Sequence, residues 1–127
     1  MSYKDWRVRV EDMLEAIERI ERYIDEMAEE TFIHDERTID AVANNLEIIG
    51  EAAHAIPKSV TEKYNRLPWA VMAEMRNILI HEYHSVDPAL IYRTAKGDLP
   101  PLGPQLRALL AEADEASRRR SHPGTAP

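Results

Sequence analysis

The chain has 127 residues, 44% of them hydrophobic and 31% charged, which is an ordinary globular composition and enough chain for one domain with a sizeable core. It has no cysteine, which excludes disulfides, thiolate zinc sites and cysteine nucleophiles. Its net charge is −7, and three of its 16 Lys and Arg sit in the last ten residues, so the body is more acidic still; this argues against broad non-specific binding to nucleic acid but does not exclude a local site for one phosphate.

The start, "MSYKDWRVRVED", is too charged for a signal peptide, and no apolar run approaches the roughly 20 residues that span a bilayer. A cytoplasmic location is the expectation. Val10, Met13, Leu14, Ile17, Ile20, Ile24 and Met27 recur at steps of three and four, which predicts one long amphipathic helix over roughly 4–30. Its charged faces offer Glu15–Arg19 and Glu18–Arg22 as pairs one turn apart. After "TFIHD", Asp35 caps a second helix over roughly 36–56, with Ile39, Val42, Ala43, Leu46, Ile49, Ala53 and Ile56 on its apolar face and Pro57 ending it. The link to Pro68 holds a capping box, Ser59 with Glu62, for one or two helical turns. Pro68 occupies the first turn of a third helix that runs to about Tyr83. Asp87 followed by Pro88 starts a fourth over roughly 88–96, stopped at Gly97. Leu106, Leu109, Leu110 and Ala113 mark a last helix to about Ser117. No strand pattern and no repeat is present. The expectation is an all-α antiparallel bundle of about five helices over residues 1–117, followed by a flexible basic tail over 118–127.

The stretch "MRNILIHEYHSVD", residues 75–87, carries the chemistry. At about 100° per residue, Arg76 and Tyr83 fall on nearly the same side of a helix, whereas Arg76 and His81 diverge by roughly 140°. One regular helix therefore cannot aim Arg76 and His81 at one small target. Either the helix frays near its end, or two copies meet so that a cleft collects residues from both chains. Histidine titrates near neutrality and can take or give a proton. Arginine keeps its charge and matches phosphate oxygens with a planar fork. Together they suit cleavage of RNA by its own 2′-hydroxyl, with the arginine holding the added negative charge of the transition state. The plain alternatives are an Arg in a surface ion pair with Glu74 or Glu82, a half-buried His, and a Tyr with its ring in the core and its hydroxyl at the rim.

Arg76, four residues, His81, one residue, Tyr83 is the R-x4-H-x-Y signature of the HEPN superfamily. "LPWAVMAEMRNILIHEYHSVD" (67–87), "LEIIGEAAHAIP" (46–57) and "DLPPL" (98–102) resemble its HepT branch, toxins paired with a small MNT-type nucleotidyltransferase antitoxin. The likeness covers roughly residues 5–112. It implies a HEPN-like homodimer acting as a metal-independent ribonuclease, with its active site in a cleft between protomers. Arg76 and His81 match the catalytic pair. Asn77 matches the polar position after the arginine. Tyr83 matches the tyrosine to which the antitoxin adds AMP. RNA, with transfer RNA as a substrate known in the family, is the implied target, and no cofactor is expected.

His81 and His84 are three apart, which is not the H-E-x-x-H zinc spacing, and no metal is expected. Asn44, Glu47, Glu51 and His54 form a polar stripe on the second helix, either a solvated face or, in its functional version, Glu51 orienting Arg76 or His81 across the cleft. The arginines at 118–120 belong to a soluble tail that could attract RNA or an acidic partner. A rival of another class is a non-catalytic HEPN partner that docks a nucleotidyltransferase and helps bind its substrate. The acidic body leans that way; the intact Arg76, His81 and Tyr83 lean toward the enzyme.

Overall fold

The computed structural model describes residues 5–81 and 87–121, with side chains over 5–76 and 87–120. Seven α-helices follow in order: α1 Trp6–Ile24, α2 Glu29–Phe32, α3 Glu36–His54, α4 Lys58–Lys63, α5 Trp69–His81, α6 Pro88–Arg93 and α7 Leu102–Ser121, with a π-helical turn at Thr94–Asp98 between the last two. The described residues contain no strand, and no helix among them is long and apolar enough to cross a membrane.

α3 is the centre of the bundle. It packs extensively on α1 along one side and on α5 along another. The stripe read from α1 is the buried one: Val10, Met13, Ile17, Ile20 and Ile24 meet Val42, Leu46 and Ile49 of α3 in one continuous core. Leu106 and Leu109 of α7 close it with Leu99 and Phe32, all fully buried. Phe32 and Leu99 stand outside any helical periodicity, so the sequence pattern did not mark them. Of the two charge pairs expected on α1, Glu15 and Arg19 meet at 3.5 Å, and Glu18 and Arg22 form none.

The bundle has more pieces than the five expected because the chain turns where periodicity continues. α1 ends at Ile24, short of residue 30, since Glu26 takes a left-handed backbone (φ 59°) that no helix accommodates. The turn is held from outside: the Tyr92 hydroxyl donates to the Met27 carbonyl (2.7 Å), and Arg93 grips both carboxylate oxygens of Glu29 (3.1 Å each). These contacts come from residues far along the chain, which is why a local reading ran straight through. Ser59 and Glu62 do not make a capping box; Pro57 precedes α4, no side chain caps it, and Ser59 lies inside the helix. Pro68 sits just ahead of α5, its carbonyl accepting from the Met72 amide (3.1 Å). Gly97 does not stop the fourth helix but lies within the π-helical turn. α7 runs four residues past the expected Ser117, so Arg118–Arg120 are helical; Glu115 and Arg119 pair one turn apart (2.9 Å), and basic side chains suit a helix C-terminus. The expected continuation of α5 to Tyr83 and the tail beyond Ser121 lie outside the described residues.

Asp87 and Asp35 cap as expected, Asp87 accepting from the Ala89 amide and Asp35 from the Thr38 amide (3.0 Å each). Asp35 also accepts from the Thr38 hydroxyl (2.8 Å), and these hydrogen bonds hold its carboxyl below the usual value of 3.8. A carboxyl depressed by folding contributes stability that is present above its unfolded value and is lost as the pH falls through its native one. Asp35→Asn keeps an acceptor for the cap and should leave the melting temperature at pH 7 nearly unchanged. Its loss of stability below pH 3.8 should be shallower than that of the wild type. Parallel acid limbs in thermal melts would refute this role for the cap.

Candidate functional site

α5 is an edge helix with α3 as its main packing partner. The two backbones meet at Gly50 and Arg76. A Cβ placed on Gly50 would stand 2.9 Å from the Arg76 Cα and closer still to its N and Cβ, so a residue with a side chain cannot occupy this crossing without parting the helices. An isolated glycine inside a helical pattern costs about 1 kcal/mol against alanine, and that cost was the signal available in "EIIGEA" for a close approach.

Because Gly50 brings α5 in, the next residue of α3 reaches the arginine. Glu51 Oε1 stands 3.4 Å from Arg76 Nε. The distance alone would admit a hydrogen bond, but Nε is buried and has no aligned acceptor, so the contact is an ion pair only. A misaligned N–H gains little even at this distance. The Arg76 side chain is 32% exposed and that of Glu51 58% exposed, so their attraction is worth about 0–1 kcal/mol. Arg76 is thus pinned along its stem with its Nε imperfectly satisfied, and a third of the side chain is open to water. Such a residue is held for position more than for stability.

The structure therefore brings together two of the sequence-derived residues, Arg76 and Glu51. Asn77 and His81 belong to α5, with side chains beyond those described, and Tyr83 lies outside the described residues. α5 is α-helical through His81, so the fraying that could swing His81 toward Arg76 is not seen up to that residue. Beside the site, Asn44, Glu51 and His54 of the polar stripe are exposed and Glu47 is half-buried. The neighbouring Asn45 is the one buried polar side chain of the described core; its amide donates to the Ala41 carbonyl (2.9 Å) and its oxygen accepts from Arg19 (3.5 Å). Residue type alone does not separate Asn45 from the exposed Asn44 beside it. The outer face of α5 leaves Val71 53% exposed, an apolar side chain without cover. Among the described residues no group of three or more His, Asp and Glu is placed to hold a metal ion.

An all-helical bundle among the described residues, whose glycine-pinned edge helix carries Arg76 through His81 of the R-x4-H-x-Y segment, fits the HEPN class. The chain belongs to the ribonuclease HepT-like family, whose profile matches residues 13–109. It is 44% identical over 101 residues to the "Probable ribonuclease HepT" of Thermococcus cleftensis, covering 80% of this chain and 89% of that one. Over 112 residues it is 39% identical to the Methanocaldococcus jannaschii protein named "Gamma-glutamylcyclotransferase and putative RNase", covering 88% of this chain and 50% of that one. The chain thus spans about half the length of that relative. A second protein of that organism, named "Putative RNase", is 33% identical over 115 residues, covering 91% of this chain and 99% of its own. No solved structure gives a significant match.

Proposed function

We propose that this chain is a metal-independent endoribonuclease toxin of the cytoplasm, acting as a two-fold homodimer and silenced by an MNT-type nucleotidyltransferase that adds AMP to Tyr83. The observation that carries the reading is Arg76, fixed by Gly50 and Glu51 at the head of the R-x4-H-x-Y segment in a chain of the ribonuclease HepT-like family. The relatives' names, a ribonuclease HepT and two RNases, point the same way.

In this reading the ribose 2′-hydroxyl oxygen attacks the adjacent phosphorus and the bond to the 5′-oxygen breaks. One proton leaves the 2′-hydroxyl and one reaches the departing oxygen. His81 handles one of these transfers. Arg76 binds the non-bridging oxygens as their charge grows. Glu51 fixes the Arg76 stem, and Asn77 supplies an amide next to it. RNA, with transfer RNA as the expected class, fits such a site. A two-chain cleft fits this reading: α5 is helical to His81, residues five apart on a helix stand roughly 140° apart, and in the proposed dimer the histidine completing each cleft comes from a second copy. The uncovered Val71 and the single main partner of α5 fit the same interface.

Purified chain with RNA in EDTA tests the activity. Cleavage is expected; cleavage only after a divalent ion is restored would refute metal independence, and none at all, together with tight binding of a nucleotidyltransferase, would favour the scaffold. Tyr83 falls by spacing on the same side as Arg76, so an added AMP would place bulk and a negative phosphodiester at the cleft mouth. Tyr83→Phe should keep at least partial cleavage and escape silencing by the partner with ATP and magnesium. Intact mass is the readout, and an AMP gain equal to that of the wild type would move the modification elsewhere.

A further inference from the structure

At the junction of the start of α1, α4 and the end of α7 lies a cleft of about 280 Å³ that the site above does not use. Trp6, Arg7, Ser59, Lys63, Tyr64 and Arg120 line it, and no carboxylate does. In a chain of net charge −7 this is an unusual concentration of cations. Arg7 is already paired, with Asp5 at 2.9 Å and Asp114 at 3.8 Å. Lys63 and Arg120 make no ion pair among the described residues, and they line the cleft from α4 and α7. The floor is aromatic. The Trp6 and Tyr64 rings lie 6.1 Å apart, Trp6 half-buried and Tyr64 buried, and the Lys63 ammonium sits 5.4 Å from the centre of the Tyr64 ring. Arg120 is the last residue of the run first read as a tail, and the helical extension of α7 is what brings it here.

Cations on two walls over an aromatic floor match one unit of a single strand: phosphate against the cations, base against the Trp6 ring. The cleft is also tied to α5. The Trp69 indole N–H donates to the Tyr64 carbonyl (3.0 Å), and Arg76 follows Trp69 by seven residues, about 10 Å of helix. A strand held at one place could extend past the other. We propose that this cleft is a second contact for single-stranded RNA, binding one nucleotide of the substrate outside the Arg76 site. The assignment rests on the ribonuclease reading for its ligand. It also explains how an acidic chain holds RNA: the attraction is concentrated at one built site.

The test is binding of a fluorescent 2′-O-methyl oligoribonucleotide, which this chemistry cannot cut, to the full chain at several salt concentrations. Lys63→Ala with Arg120→Ala should weaken binding about tenfold or more near 0.1 M salt, and should flatten the slope of log affinity against log salt by about 0.7, the share of the one phosphate the two cations hold. Both side chains are exposed, so the fold should survive, and helical content checks it. Arg22→Ala with Arg37→Ala removes the same charge elsewhere and should change affinity less than threefold. Unchanged binding in the first double variant, or an equal loss in the second, would overturn the site. So would equally tight binding of AMP alone, which makes it a mononucleotide pocket, or equal displacement by poly-glutamate, which makes it a site for acidic protein. Cleavage of the unmodified strand by the same wild-type sample, scored separately, tells failure of the cleft from failure of the ribonuclease reading.

Discussion

Arg76→Ala should lower RNA cleavage by about 10²-fold or more with the helical content and melting temperature little changed. Alanine keeps the Cβ that meets Gly50, so the α3–α5 crossing survives. What it removes is a guanidinium whose Nε is buried without a hydrogen bond and a weak ion pair to Glu51, so the stability cost should stay within about 1 kcal/mol. The loss falls on the transition state, whose charge has no other permanent cation assigned to it. His81→Ala should be about as damaging, since proton transfer is worth roughly 10²–10⁴-fold. Mixing the two inactive variants adds a sharper expectation. If each cleft takes Arg76 from one chain and His81 from the other, a mixed dimer holds one intact cleft, and activity should return after subunit exchange. Near wild-type cleavage by either variant removes that residue's role, and no recovery on proven exchange removes the two-chain cleft.

Gly50→Ala should damage both fold and activity, although alanine is the better helix former. The helix propensity gain is about 1 kcal/mol. Against it, the new Cβ overlaps the Arg76 backbone, an atom group that cannot swing aside, and overpacking of this kind costs about 1–3 kcal/mol. The net should be a loss of about 1 kcal/mol and several degrees in melting temperature. Cleavage should fall more than stability does, by about tenfold or more, because parting the helices would shift Arg76 from the phosphate it is proposed to bind. Gly50→Leu should go further and leave little folded protein. A Gly50→Ala chain as active and stable as the wild type would show that the crossing relaxes freely and that Gly50 does not position the site.

The bundle was legible where a helix buries one periodic face, as in α1, α3 and α7, whose expected stripes are the observed core. Caps at Asp35 and Asp87 were legible too, because a cap is a contact between near neighbours in sequence. Phe32, Leu99 and the turn at Glu26 were not: distant partners, Tyr92 and Arg93 among them, hold that region in place. At the site the same division holds. Arg76 and Glu51 could be named from sequence because their residue types limit their chemistry. Gly50, which decides where they meet, has no chemistry, and its meaning comes only from the helix that crosses it. Arg120 was misplaced for a further reason: the charged end of α7 carries no apolar stripe, so periodicity could not carry the helix that far.

The claim that a 2′-hydroxyl, and not water, attacks the phosphorus is tested most directly by the ends of the products. A short RNA of defined sequence, cut by the purified chain in EDTA and resolved by mass spectrometry, should yield 2′,3′-cyclic phosphate and 5′-hydroxyl termini. A strand with 2′-O-methyl at the cut position should not be cut there. Products ending in 3′-hydroxyl and 5′-phosphate, or cleavage of the 2′-O-methyl strand, would contradict the account.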